Sequence, residues 1–370
     1  MNKDEKTLYR ILKNQHVDKI ALAKLCQKNF MLVCVFLEHY TKGYVKLNKR
    51  RRRKIYESMR RLEFELFDYM ARKKLEINTI REFFDVMYLF LHKSGRYTYQ
   101  ESTFLGGMQD PNKLIGDCNQ IVSLYVHLWN LFFEMDMLRI KLPKNHIVLN
   151  YKNIDIEATN GKQTLKYNTL DPLEVLELLT VNILDVSDFR QKQKSVAPRN
   201  LVEGFALAAE LSSHNDLVAK NLIIAKNNLG LEYLKQQKFK YAMSMFQQTQ
   251  NQKGINSVRT EACVFYVAKN KFRKALKFAQ NQELQKYVYQ KWVQFYVKKK
   301  RFSAALKNAH RVGMENFVLG NEFNYLASGL PKSLNTEIAK KHIKKIKRLI
   351  VISEKLNDDK NAKKLRKLIS

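Results

Sequence analysis

Proline is nearly missing from this chain, 5 in 370 residues, and glycine is sparse at 12. From Lys6 to about His92 there is no proline, and apolar residues recur at helical spacing, as in Leu22, Leu25, Cys26, Phe30, Val33 and Leu37. Long helices are the expected structure there. No stretch approaches 18 uninterrupted apolar residues; the most apolar segment, Ile121 to Met137, is broken by Ser123, His127, Asn130, Glu134 and Asp136, so no membrane span is expected. The opening residues Met1-Asn2-Lys3-Asp4-Glu5-Lys6 put acidic and polar groups where an export signal needs a basic patch and then an apolar run. A soluble, cytoplasmic protein is therefore expected.

Cysteine is also scarce. Cys26, Cys34, Cys118 and Cys263 are scattered without a CxxC pair, which argues against a disulfide framework or a zinc site. Cys26, Cys34 and Cys263 fall inside apolar helical patterns, the usual setting of a thiol acting as a small buried hydrophobe. His16, His39, His92, His214, His310 and His342 show no HExxH spacing, and neither a Walker loop nor a dinucleotide fingerprint occurs. No metal and no cofactor are expected.

Acidic residues are outnumbered, 35 against 67 lysines and arginines, which leaves a net charge of +32 and favours polyanionic partners. The concentrated run is Lys49-Arg50-Arg51-Arg52-Arg53-Lys54, inside a helical stretch that continues through Arg60 and Arg61. A nucleic-acid contact through these six residues is one expectation; a solvated helix face is the other.

Turn formers cluster at Ser94-Gly95 and from Gly106-Gly107 through Pro111-Asn112. After Gly116-Asp117, the spacing Ile121, Leu124, Tyr125, Leu128 describes a buried helix that begins close to Cys118. The period then changes. His146 to Tyr151 and Ile154 to Thr159 are β-prone runs separated by Lys152-Asn153, the pattern of a hairpin. From Leu170 the chain returns to helix, with Asp171-Pro172 expected as an N-cap and first-turn pair. Tyr233, Phe239 and Ala242 are matched by Tyr266, Phe272 and Ala275, and again by Tyr296, Phe302 and Ala305. This threefold Tyr-x5-Phe-x2-Ala pattern, with Leu229-Gly230 ahead of Tyr233, resembles the tetratricopeptide repeat. Asn335 to Ser370 is a basic amphipathic stretch expected to form a capping helix.

The overall expectation is a mostly α chain with a small α+β core, in three parts: a helical domain over 1–95, the α+β core with a following helix over 96–195, and helical repeats with the basic cap over 196–370.

A cysteine nucleophile needs a stabilised thiolate, and a helix N-terminus supplies backbone N–H groups and a positive dipole end. Cys118 is placed for this, with Gln109 and Asn112 in the preceding loop as candidate oxyanion donors. A base must reach the thiol from another element, and an acid must hold the imidazole. With Lys152-Asn153 as a two-residue turn, Tyr151 pairs with Ile154, and His146, Asp155, Glu157 and Thr159 share one face. Glu157 is then the diagonal neighbour of His146 and the better orienting acid, with Asp155 one step further along.

Gly116-Asp117-Cys118, the apolar helix behind it, Asn145-His146, and Glu157-Ala158-Thr159 together resemble the transglutaminase-like superfamily of papain-like folds. That family reads Gly-x-Cys at a helix start, His on a strand and Asp-x-Thr on the next. Glu157 stands where the family usually has Asp, and no tryptophan precedes the cysteine or the histidine. The resemblance spans roughly 60 residues. It implies a cysteine-dependent acyl-transfer enzyme, a protease, amidase or deamidase on a protein amide, with Cys118, His146 and Glu157 or Asp155 as its catalytic residues and the repeats recruiting protein. An inactive protein-interaction scaffold and a nucleic-acid-associated protein are the alternatives.

Overall fold

The computed structural model describes residues 2–14, 16–41, 47–100, 105–144, 146–152, 154–164, 166–185, 196–212, 215–334 and 336–370. Met1, Asn145, Asn153, His214 and Asn335, named above, lie outside them. The fold is mostly helical with a small sheet component, and the chain divides into two compact units, Met1–Leu229 and Gly230–Ser370.

The first unit runs α1 (Lys3–Lys13), α2 (Lys19–Tyr40), α3 (Lys49–Lys73) and α4 (Ile80–Met87), which continues as a π-helical turn, Tyr88–Lys93. Then come β1 (Tyr97–Tyr99), β2 (Leu114–Gly116), α5 (Cys118–Trp129), β3 (Arg139–Lys141), β4 (Val148–Tyr151), β5 (Ile154–Glu157), β6 (Lys162–Thr164) and β7 (Leu173–Glu174). Two helices, α6 (Glu177–Asp185) and α7 (Pro198–Leu211), follow before α8 (Asp216–Lys235), in which the unit boundary falls. β1 and β2 pair in parallel, and the other strands form an antiparallel sheet in the order β6-β5-β4-β3-β7. Asp171-Pro172 does not start a helix. Leu173 instead pairs with Ile140 at the edge of β3, with proline's missing N–H just outside that edge strand, and the helix begins at Glu177.

One hydrophobic cluster, from Leu8 to Ala225, joins the N-terminal helices to α5 and the sheet, so 1–95 and 96–195 share a core. α5 is apolar on all sides because it is enclosed on all sides: every residue from Asn119 to Trp129 is buried. α2 is long and apolar enough to cross a membrane by length and composition. It is broken at Asn29, whose backbone leaves helical geometry (φ −162°, ψ 82°) and whose side chain accepts from Leu32 N at 2.9 Å, so neither half has spanning length. Its faces pack into the core through Leu22, Phe30, Val33 and Phe36.

The basic run at the start of α3 is not uniformly solvated. Arg52 is buried; its Nε donates to Glu5 Oε1 at 2.7 Å and its Nη1 to Leu47 O at 2.7 Å, while Tyr56 donates to the same Glu5 oxygen at 2.9 Å. Burial alone would raise the Glu5 carboxyl, but the Arg52 and Tyr56 hydrogen bonds and the Arg52 charge outweigh it and hold it below its ordinary value. Arg52 therefore ties α3 to α1 and is unavailable to a phosphate; Lys49, Arg50, Arg51, Arg53 and Lys54 remain exposed, Arg53 beside Glu57 at 2.7 Å.

The second unit holds the end of α8, then α9 (Phe239–Gln248), α10 (Gln252–Ala268), α11 (Phe272–Leu276), α12 (Gln282–Lys298), α13 (Phe302–Ala309), α14 (Glu315–Ser328), α15 (Thr336–Lys341), α16 (Ile343–Lys355) and α17 (Asp359–Lys367). The expected single capping helix is three helices, with α16 and α17 packed as a further hairpin. Each Tyr-x5-Phe-x2-Ala motif is a helix–turn–helix joint. In all three, the residue four after the tyrosine enters the left-handed region, Gln237 (φ 58°), Asn270 (φ 56°) and Lys300 (φ 56°), and the next N–H returns to the tyrosine carbonyl at 2.8, 2.8 and 2.9 Å. The phenylalanine then opens the next helix, and Ala242, Ala275 and Ala305 are fully buried where the two helices meet. The same joint recurs at Asn357 (φ 58°), with Asp358 N bonding Ser353 O at 2.8 Å and Ala362 buried. Gly230 and Gly254 bracket the Phe246 ring; a Cβ on Gly254 would stand 2.5 Å from it.

None of these left-handed positions is glycine, the residue that adopts this conformation without a side-chain penalty. Gln237→Gly is expected to stabilise the unit by about 1 kcal/mol, read as a raised urea midpoint at unchanged m-value. A lowered midpoint would show that Gln237 contributes a contact outweighing its backbone cost.

Candidate active site

Cys118 is the first residue of α5. Asp117 caps that helix: its Oδ1 accepts from Asn119 N at 2.9 Å, and Gln120 Oε1 returns to accept from Asp117 N at 3.0 Å. Gly116 is what allows Gln120 to fold back, since a Cβ there would lie 2.9 Å from Gln120 Cβ. The Gly-Asp-Cys sequence is thus a tight strand-to-helix turn that presents the cysteine at the helix end. Cys118 is partly exposed, whereas Cys26, Cys34 and Cys263 are buried. Burial raises all three buried thiols, Cys34 to about 12 and Cys263 to about 11.

The hairpin has the expected register: Tyr151 pairs with Ile154, Asn150 with Asp155 and Leu149 with Ile156, across a turn in which Lys152 is left-handed (φ 52°). Just before β4, His146 Nε2 lies 2.8 Å from both carboxylate oxygens of Glu157 at the end of β5. Thr159 donates its hydroxyl to Glu157 Oε1 at 2.7 Å. The carboxylate is also shaped by the turn that follows it, in which Asn160 N and Gly161 N both bond Glu157 O, at 3.2 and 2.8 Å. Gly161 (φ 70°) is required there twice over, because a Cβ would also meet the His92 and Tyr88 rings at 2.9 Å. Burial pushes the Glu157 carboxyl up, but the His146 and Thr159 hydrogen bonds and the His146 charge prevail and hold it below its ordinary value of 4.5.

That depression carries a sign. A carboxyl lowered in the folded state contributes stability fully present above its unfolded value and lost as pH falls through the folded one. The stability difference between the wild type and Glu157→Gln is therefore expected to hold from pH 7 to about 5 and to shrink below about 4.5, followed by urea midpoints at each pH. A difference that grows below about pH 4.5 would contradict the depressed Glu157 carboxyl.

Asp155 is not part of this pair. It is fully buried one strand position away, where Lys141 Nζ on β3 meets its Oδ1 at 2.9 Å and Asn150 Nδ2 donates to the same oxygen at 2.8 Å. Lys141 also donates to Tyr167 O at 3.0 Å, and the Tyr167 ring lies 6.5 Å from that of His146. Asp155 is therefore a neutralised structural charge on the same face of the sheet. It is fully enclosed and held through Oδ1 by Lys141 and Asn150, away from the imidazole that Glu157 meets.

Each of the two candidate oxyanion donors has one other partner. Gln109 Nε2 donates to Gly106 O at 2.7 Å, and Asn112 Oδ1 accepts from Arg96 at 3.1 Å. His127 is buried in α5 against Glu63 at 2.9 Å. Sequence reasoning passed over two residues between the cysteine helix and the Glu157 turn. His92 bonds the Tyr125 hydroxyl at 3.1 Å and the Ala158 backbone, and Tyr97, stacked edge-on to it at 5.3 Å, donates to Gly116 O at 3.0 Å. Burial lowers His92, so this imidazole is a neutral bridge joining α5 to the strand that carries Glu157. Its position depends on the π-turn at Tyr88–Lys93, which no spacing rule reveals.

No protein-family profile, curated protein or solved structure matches the chain.

Proposed function

We propose that the first unit is a transglutaminase-like, cysteine-dependent acyl-transfer centre acting on a protein amide, with the helical hairpins of the second unit as a tetratricopeptide-like surface that recruits the substrate protein. The observation that carries this reading is His146, locked through Nε2 onto a carboxylate that Thr159 holds in turn. Its strand packs in the same core as the helix that starts at Cys118.

With Nε2 committed to Glu157, Nδ1 is the nitrogen that takes the Cys118 proton. The thiolate, favoured by the end of α5, attacks the amide carbonyl carbon. The tetrahedral intermediate collapses as imidazolium returns its proton to the departing amine, leaving a thioester. Water or a second amine, deprotonated by the same imidazole, attacks the thioester and releases Cys118. The free thiols suit a reducing compartment.

The test uses iodoacetamide labelling read by peptide mass spectrometry, together with a screen of peptide and glutamine amides. Cys118 is expected to label first of the four cysteines, and Cys118→Ala is expected to remove both the fast adduct and all turnover. Turnover unchanged in Cys118→Ala would sink the proposal.

A further inference from the structure

Most of the net charge of the chain lies in the second unit. The residues 230–370 hold 31 of the 67 basic residues and only 9 of the 35 acidic ones, so this unit carries +22 of the +32. Within it the charge is arranged by the fold. Short joints connect packed helices at 236–238, 269–271 and 299–301, and because the helices alternate in direction, every second joint returns to the same edge. Those joints, 236–238, 269–271 and 299–301, contain six basic residues and no acidic one, and all six are exposed. The joints of the opposite edge, 249–251, 277–281 and 310–314, contain only Lys277 and Arg311.

The placement is periodic at the level of single residues. Lys238, Lys271 and Arg301 occupy the same position, the residue before the helix-opening phenylalanine, with matching backbones (φ −88°, −97° and −99°; ψ 59°, 55° and 64°). They cap no helix with their side chains, and the ion pairs found among the unit's described residues, Arg348–Glu322 and Arg366–Glu354, lie elsewhere. In the fourth joint the equivalent residue is Asp358, which ends the ladder at three rungs. Aromatic faces stand beside the rungs. Tyr241, 63% exposed, packs against Tyr233 under Lys238, and Tyr325, 44% exposed, lies 4.6 Å from Lys300 Nζ.

We infer that this edge binds single-stranded nucleic acid, with Lys238, Lys271 and Arg301 on its backbone phosphates and Tyr241 and Tyr325 stacking on unpaired bases. A row of cations alone would serve any polyanion. Exposed tyrosines beside the cations favour a strand whose bases are free to stack, which a duplex, an acidic peptide and a lipid headgroup do not offer. The surface is distinct from the α3 run and independent of the chemistry proposed for Cys118.

The experiment is fluorescence anisotropy of the full chain with a 20-nucleotide oligo-uridine across a salt series. The comparison probes are the same length of duplex, poly-glutamate and phosphatidylserine vesicles. Three variants are compared: Lys238→Gln with Lys271→Gln and Arg301→Gln; Tyr241→Ala with Tyr325→Ala; and glutamine at Lys49, Arg50, Arg51, Arg53 and Lys54. Circular dichroism melts verify that each folds. The ladder variant is expected to flatten the slope of log K against log salt by about 2, the value for three single-strand phosphate contacts. The tyrosine variant is expected to weaken binding about tenfold or more with the slope unchanged. An unchanged slope in the ladder variant, loss of binding only in the α3 variant, or equal affinity for duplex, poly-glutamate or vesicles would overturn the inference.

Discussion

Glu157→Gln is expected to cut kcat/KM on an amide substrate by about 10²- to 10⁴-fold, the range for losing a general base held in its working tautomer. The reason is local. Glu157 receives His146 Nε2 on both carboxylate oxygens at 2.8 Å and is itself fixed by Thr159 at 2.7 Å. Glutamine fills the same space but carries no charge to stabilise the imidazolium, and its amide N–H₂ can face Nε2 and drive the proton to the other nitrogen. Glu157→Asp keeps the charge on an arm one methylene shorter and is expected to fall between the two. Paired kcat/KM measurements on the three proteins check this ordering; equal values for wild type and Glu157→Gln would remove Glu157 from the mechanism.

The second large effect belongs to the neighbouring carboxylate. Lys141→Met strands Asp155 as a charge with 0% exposure, and breaking a buried pair in this way costs about 3–5 kcal/mol. Replacing both partners, Lys141→Met with Asp155→Leu, removes the orphaned charge and is expected to recover most of that loss. Chemical denaturation of the two variants reads the difference directly. A single variant no less stable than the double would mean that the pair is solvated in the folded protein.

These two carboxylates show where sequence reasoning succeeds and where it stops. Glu157 and Asp155 lie on one strand, two residues apart, so the alternation of β5 and a two-residue turn put both on the face of His146. That register follows from local pattern, as does the helix start at Gly116-Asp117-Cys118, where a small residue and a capping aspartate precede an apolar run. Which carboxylate meets the imidazole was legible from diagonal geometry. That the other is neutralised by Lys141 was not, because the lysine lies on a third strand and a buried lysine runs against the usual surface preference. Arg52 repeats the lesson: its partner Glu5 is 47 residues away, and the run around it reads as solvated charge. The Tyr-x5-Phe-x2-Ala joints were visible wherever their aromatics were kept. The fourth joint, with Ser353 and Asp359 in those places, keeps the backbone turn and the buried Ala362 but none of the side-chain signal. β7 was hidden for another reason, since an edge strand of two residues is defined by its neighbour β3 and not by its own composition.

The central claim is that His146, held by Glu157, activates Cys118, and the pH dependence of Cys118 alkylation tests it most directly. Rates with iodoacetamide would be followed by peptide mass spectrometry from pH 4 to 10, in wild type and His146→Ala. A working pair predicts a midpoint well below the ordinary thiol value of about 8.5 in the wild type, rising toward that value when the imidazole is removed. A midpoint near 8.5 in both proteins would contradict it.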